Sequence, residues 1–229
     1  MKSLYILFAF TYTMSNGQMN NFVLPKNIID RTAEFSEVNI WITLNNNESI
    51  DGYTRIGDSI YGGEIGCDVK PLEGIDIKTF KILAGTGYAK DIYKAYFPIQ
   101  IMCTDGKDCG ICNYSKVIVK GANPANFKYL KKDYATDGDS VFFRGKMIKN
   151  ADAATFKVID GPEYFYFAVD KNYVYKHDKI FEDADPSTFY YDETDSRNEV
   201  LNSKKYIIGD KSNEWQYTPP HQILKIEKK

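Results

Sequence analysis

Four copies of one nine-residue pattern constrain this chain more than any other feature. They are Leu72–Phe80, Val119–Phe127, Ile148–Phe156 and Phe181–Phe189. Each reads apolar, charged, turn residue, small or apolar residue, Asp or Asn, two variable positions, Thr or Asn, and Phe. Self-similarity at this scale marks a repeat architecture, in which one small unit cannot bury its own apolar face and needs a neighbour. The pattern has a physical reading. Asp76, Asn123, Asp152 and Asp185 are N-cap residues, whose short side chains accept from backbone N–H groups two or three positions on. Pro124 and Pro186 follow two of them, where a missing N–H costs nothing. Each copy therefore makes a single helical turn or Asx turn, and Phe80, Phe127, Phe156 and Phe189 fold back as equivalent core anchors.

A second element precedes the turn. Asp170-Lys171-Asn172-Tyr173-Val174-Tyr175 aligns with Asp137-Gly138-Asp139-Ser140-Val141-Phe142. Gly57–Tyr61 and Asp91–Tyr96 are weaker matches. Polar turn formers run into alternating apolar and aromatic residues, the signature of a strand. Tight turns follow at Arg144-Gly145 and His177-Asp178, and a further strand leads to the cap. The predicted fold is mainly β: an array of short antiparallel meanders with single helical turns, about four units plus a partial one. A small β-propeller is the alternative, since several strands per unit would make a blade. The reading divides the chain into a leader over 1–17, an N-terminal capping segment over 18–50, an array over 51–200 and a partial repeat with tail over 201–229. The units fall near 51–83, 84–130, 131–160 and 161–195. The Phe-to-Phe intervals are 47, 29 and 33 residues, so the second copy carries an insertion. Alternating Val38, Ile40, Ile42 and Leu44 predict a strand that covers the N-terminal edge. The 18 Tyr and 14 Phe suit half-buried pleated surfaces and support the β assignment.

The N-terminus reads as an export signal. Lys2 precedes an apolar run, Leu4–Tyr12, and Ser15-Asn16-Gly17 offers a cut before Gln18. The run is too short for a stable transmembrane anchor, and no later segment is apolar for long enough to supply one. The mature chain is placed in the periplasm, at the cell surface or outside the cell. The formal charge of −2 and the lack of a basic block argue against nucleic acid. A protein or other envelope component is the expected partner.

The string Asp170–Tyr175 with Ala184-Asp185-Pro186-Ser187-Thr188-Phe189 resembles the DKNYY family of bacterial repeat proteins, over about residues 55–217. The resemblance implies several such units and frequent export. That family has no established molecular function and brings no catalytic residues to this chain. The first copy departs from it through Gly62-Gly63 and Cys67, and the second through its insertion.

Remaining chemistry is sparse. An even count of cysteines in an exported chain, Cys67, Cys103, Cys109 and Cys112, reads as two disulfides. Their distances from the repeated Phe favour Cys67–Cys112 with Cys103–Cys109 among three connectivities. Cys109-Gly110-Ile111-Cys112 also has redox and zinc spacing, but strand, not helix, follows it. His177 sits at a hairpin tip and His221 after a Pro pair, neither beside a nucleophile pattern. Asp133, Asp137 and Asp139, and Asp178, Asp183 and Asp185, could serve a hydrolase or a cation, yet they recur at turns and caps. No cofactor, metal site or catalytic residue is assigned. The reading is an exported, non-catalytic binding or structural module; the alternatives are a hydrolase using the Asp clusters and a periplasmic inhibitor or immunity protein.

Overall fold

The computed structural model describes residues 27–35, 39–62, 71–97, 117–162, 164–192, 206–218 and 222–228. The leader, the four cysteines and His221 lie outside the described residues. In chain order the elements begin with β1 (Ile29–Asp30), the one-turn helix α1 (Thr32–Phe35), β2 (Trp41–Ile42), β3 (Glu48–Ile50), β4 (Tyr53–Ile56) and β5 (Ser59–Gly62). Then come β6 (Lys81–Leu83), β7 (Tyr88–Lys90) and β8 (Ala95–Tyr96). β9 (Lys128–Lys131), β10 (Tyr134–Thr136), β11 (Val141–Phe143) and β12 (Lys146–Met147) follow. Next are β13 (Lys157–Val158), β14 (Phe167–Val169), β15 (Val174–Lys176) and β16 (Lys179–Ile180). The chain ends with β17 (Tyr190–Asp192), β18 (Tyr206–Gly209), β19 (Glu214–Thr218) and β20 (Gln222–Ile226).

These strands form five four-stranded sheets: β1-β3-β4-β5, β2-β6-β7-β8, then β9 to β12, β13 to β16 and β17 to β20 as plain meanders. Pairing is antiparallel except where β1 joins β3 in parallel. The mainly β repeat fold is as the sequence indicates. From the second sheet on, the first repeat strand begins on the residue after the repeated Phe, at Lys81, Lys128, Lys157 and Tyr190. Each such strand pairs with its immediate successor in an antiparallel hairpin. The turn motif is thus the link between sheets. The C-terminal segment, with β17, completes a whole fifth sheet. Of the alternation over 38–44, Val38 lies outside the described residues; among the described residues it yields the two-residue β2 on the edge of the second sheet, with Leu44 buried and Ile40 exposed.

The core lies between sheets. One cluster joins Ile50 and Tyr53 of the first sheet to Ile82 and Ala89 of the second. Further clusters join second to third, third to fourth, and fourth to fifth. Among the described residues no cluster joins the fifth sheet to the first. Among the described residues the sheets form an open stack, each packed on its neighbours in chain order. Period-two alternation explains how each inner sheet is buried on both faces. In β7, Tyr88 points into the cluster shared with the third sheet and Ala89 into the one shared with the first. Tyr134 and Ala135 of β10 divide in the same way, as do Phe167 and Ala168 of β14.

The buried tyrosines also tie neighbouring sheets together. The Tyr53 hydroxyl donates to Gly87 O at 3.2 Å, and Tyr88 to Asp133 O at 2.8 Å. Tyr134 lies 2.9 Å from Tyr166 O and 3.1 Å from His177 O. Each acceptor is on a hairpin tip of the next sheet. Burial raises the pKa of all three hydroxyls and keeps them neutral donors. Tyr134→Phe deletes only the hydroxyl. It is expected to lower stability by about 1 kcal/mol, the usual net worth of one such bond, measurable by urea unfolding. No change would mean that water replaces the hydroxyl at no cost.

Candidate functional site

The repeated polar residues come together where one sheet hands over to the next. In each cap turn the side-chain oxygen accepts from the backbone two or three residues on. Asp76 Oδ1 accepts from Lys78 N at 2.9 Å, Asn123 Oδ1 from Ala125 N at 3.0 Å, Asp152 Oδ1 from Thr155 N at 3.0 Å and Asp185 Oδ1 from Ser187 N at 2.9 Å. These are Asx turns closed by an i to i+3 backbone bond, as in Thr155 N to Asp152 O at 3.2 Å.

The N–H of each cap residue points elsewhere, to a second, buried aspartate. Asp76 N donates to Asp91 Oδ2 at 3.0 Å, Asn123 N to Asp137 Oδ2 at 2.8 Å, Asp152 N to Asp170 Oδ2 at 2.7 Å and Asp185 N to Asp210 Oδ2 at 2.8 Å. The other oxygen of each buried Asp holds its own turn. Asp170 Oδ1 accepts from Asn172 N at 2.7 Å and Tyr173 N at 2.8 Å, and the other three repeat this geometry. Hydroxyls of Tyr96 and Tyr175 donate to the Oδ2 atoms of Asp91 and Asp170, both at 2.8 Å. All four buried Asp side chains are at most 4% exposed.

The exposed flank is also paired in three of the four clamps. Thr79, Thr155 and Thr188 Oγ1 accept from the N–H of Ile92, Lys171 and Lys211. Lys171 Nζ lies 2.7 Å from Asp152 and Lys211 Nζ 2.8 Å from Asp185. Those lysines hold the two cap carboxyls below the usual range. Burial pushes Asp170 and Asp210 upward, but the backbone N–H groups outweigh it and both end lowered. A carboxylate whose lone pairs are filled by backbone donors has no acceptor left for a substrate proton.

The acidic clusters separate in the same way. Asp133 pairs with Arg144 at 2.7 Å, and Asp137 is one of the buried clamps. Asp178 faces Lys146 across 4.0 Å, Asp183 sits at a φ of 66° in a turn, and Asp185 is a cap. They are divided among a hairpin tip, a turn and a cap. Among the described residues no His, Cys, Asp and Glu group could hold a metal ion, and no helix is long and apolar enough to cross a membrane.

Phe80 and Phe127 are buried, whereas Phe156 and Phe189 are half-buried and pack against the third and fourth clusters. Each sits against the second-strand aromatic of the preceding sheet: Tyr53, Tyr88, Tyr134 and Phe167 lie 5.3 to 5.7 Å away between ring centroids. Reading the sequence for turns missed the buried Asp as the partner of the cap. The available signal is aromatic-Ala-x-Asp, in Tyr88-Ala89-Lys90-Asp91, Tyr134-Ala135-Thr136-Asp137 and Phe167-Ala168-Val169-Asp170.

The molecule is therefore an open stack of β-meander repeats, with each junction locked by a buried aspartate. The DKNYY family matches residues 53–179, more than half of the chain, and the chain belongs to that family. The match begins at β4 and ends within β16, short of the fourth cap and the fifth sheet. No curated protein and no solved structure matches the chain. The string Asp170–Tyr175 acquires a physical meaning here: Asp170 is the clamp, Lys171 the ion-pair arm to the cap Asp152, Asn172 and Tyr173 the N–H donors, and Tyr175 the hydroxyl.

Proposed function

We propose that this protein is an exported, non-catalytic β-repeat module that binds a component of the cell envelope. What supports the reading is that the repeated carboxylates are taken up by internal hydrogen bonds, so the array offers surface and not a reacting group. Export follows from Lys2, the Leu4–Tyr12 run and the cut before Gln18. Cys67, Cys103, Cys109 and Cys112 then act as disulfide staples in an oxidising compartment. The test is made on protein from the native host. Its N-terminus should be Gln18, and the tagged chain should capture an envelope component. Retention of Met1 on the bulk of the protein would end the export reading.

A further inference from the structure

Among the described residues the sheets of this stack end in short edges, with one exception. Nine of the ten edge strands are two to four residues long. Those of the third and fourth sheets carry exposed lysines: Lys128 and Lys131, Lys146, Lys157 and Lys179. Short length and lysine are common ways of keeping a free sheet edge from pairing with another chain. β20 departs from this. It runs for five residues, Gln222–Ile226, and pairs on one side only, with β19. Its single lysine, Lys225, lies 6.0 Å from the Trp215 ring. Leu224 is 48% exposed, and Gln222, Lys225 and Glu227 are exposed as well. Among the described residues nothing pairs with the far side of β20, so its outward N–H and C=O groups form a row open to another strand.

The charges on this strand select its partner. A strand added to β20 that prolongs it by one residue puts Glu227 on the face of Lys225, with Leu224 and Ile226 on the other face. Glu227 forms no ion pair among the described residues. When two copies pair antiparallel about a two-fold axis, every cross-strand contact occurs twice and opposed residues share a face. Centring the axis on Lys225 sets two ammonium groups opposite each other, which is destabilising. Centring it on Leu224 leaves Lys225 opposite Ile223, with no countercharge. Centring it on Ile226 sets Lys225 of each copy against Glu227 of the other, and Ile226 against its own counterpart. We propose that the protein self-associates through β20 in this last register, so that the four-stranded fifth sheets of two copies join into one continuous sheet. Self-pairing stands or falls independently of the envelope-binding role.

A contact of this size belongs with weak associations, below about 1,200 Å², so it is read at high protein concentration, on the order of 100 μM. Sedimentation equilibrium should show monomer and dimer in exchange, and hydrogen exchange at the amides of 224–228 should slow as concentration rises. Lys225→Glu and Glu227→Lys each oppose like charges twice and should weaken the dimer by about tenfold or more. The double variant Lys225→Glu/Glu227→Lys exchanges the two charges and should dimerise as wild type does. Melting temperatures at low concentration should be unchanged in all three, which separates lost pairing from lost folding. A wild type that remains monomeric overturns the proposal. So does a dimer that both single variants leave intact, or a double variant that associates no better than the single ones. A monomer whose 224–228 amides become protected only when envelope extract is added assigns this edge to a foreign strand, and likewise overturns self-pairing.

Discussion

Asp170→Ala should lower stability by about 4 kcal/mol, because it strands four donors at one buried point and each unsatisfied donor costs ~1–3 kcal/mol, with water relieving part of the total. The donors are the N–H groups of Asp152, Asn172 and Tyr173 and the Tyr175 hydroxyl. The loss falls at the junction of the third and fourth sheets. Asp139→Ala is the control: it removes an exposed carboxylate one turn from an equivalent clamp, and the melting temperature should not move. Asp170→Asn is the stricter variant. It keeps the shape but turns an NH₂ toward donors, so it too should destabilise. An Asp170→Ala protein that melts with wild type would mean the clamp is decorative.

The same clamps set an acid limit. Asp170 and Asp210 have folded pKa values below the unfolded aspartate value of about 3.9. Their stabilisation is fully present above that value, where both states are ionised. As pH falls below it, the unfolded chain takes up protons first, and stability is lost progressively until the folded pKa is passed. Melting temperature should therefore drop as pH falls below about 4, and less steeply in Asp170→Ala. Cap carboxyls Asp152 and Asp185 shift the same way, but their exposed lysine partners make that part sensitive to salt.

What the sequence discloses follows from the range of each interaction. The cap turns are legible because their bonds close two or three residues on. The clamp is not, because the cap N–H and its Asp are 14 to 25 residues apart and that interval changes from copy to copy. Asp137 and Asp170 could be placed in turns, but nothing local distinguishes a turn Asp from one that also reaches across a junction. The tyrosine ties span 32 to 45 residues and end on carbonyls, which leave no trace in residue type. Open stack and propeller differ only in whether the first sheet meets the last, and each unit would look the same in either. Sheet boundaries are hard to read from sequence for a related reason. The strand after Phe can be assigned to either neighbour until its pairing is seen, as Lys81↔Lys90 and Lys157↔Val169 decide here.

Truncating the repeated Phe should expose how the stack shares its load. Phe127 is 2% exposed and sits 5.3 Å from Tyr88 and 5.9 Å from Phe142. Phe127→Ala should cost about 3–5 kcal/mol, the range for a buried aromatic that leaves a cavity. Phe156 has the same type of neighbours, 5.6 Å from Tyr134 and 5.5 Å from Tyr175, but it is only half-buried. Water already reaches part of its ring, so Phe156→Ala should cost roughly half as much, about 2 kcal/mol, if the loss scales with the area removed from water. The location of the damage is as informative as its size. In a linear array each repeat is stabilised by nearest neighbours alone. Phe127→Ala weakens the seam between the second and third sheets, so urea unfolding should separate into two steps where wild type shows one. A loss under about 1 kcal/mol in Phe127→Ala, with a single sharp transition retained, would mean that the Phe repeat is a feature of sequence and not of the core.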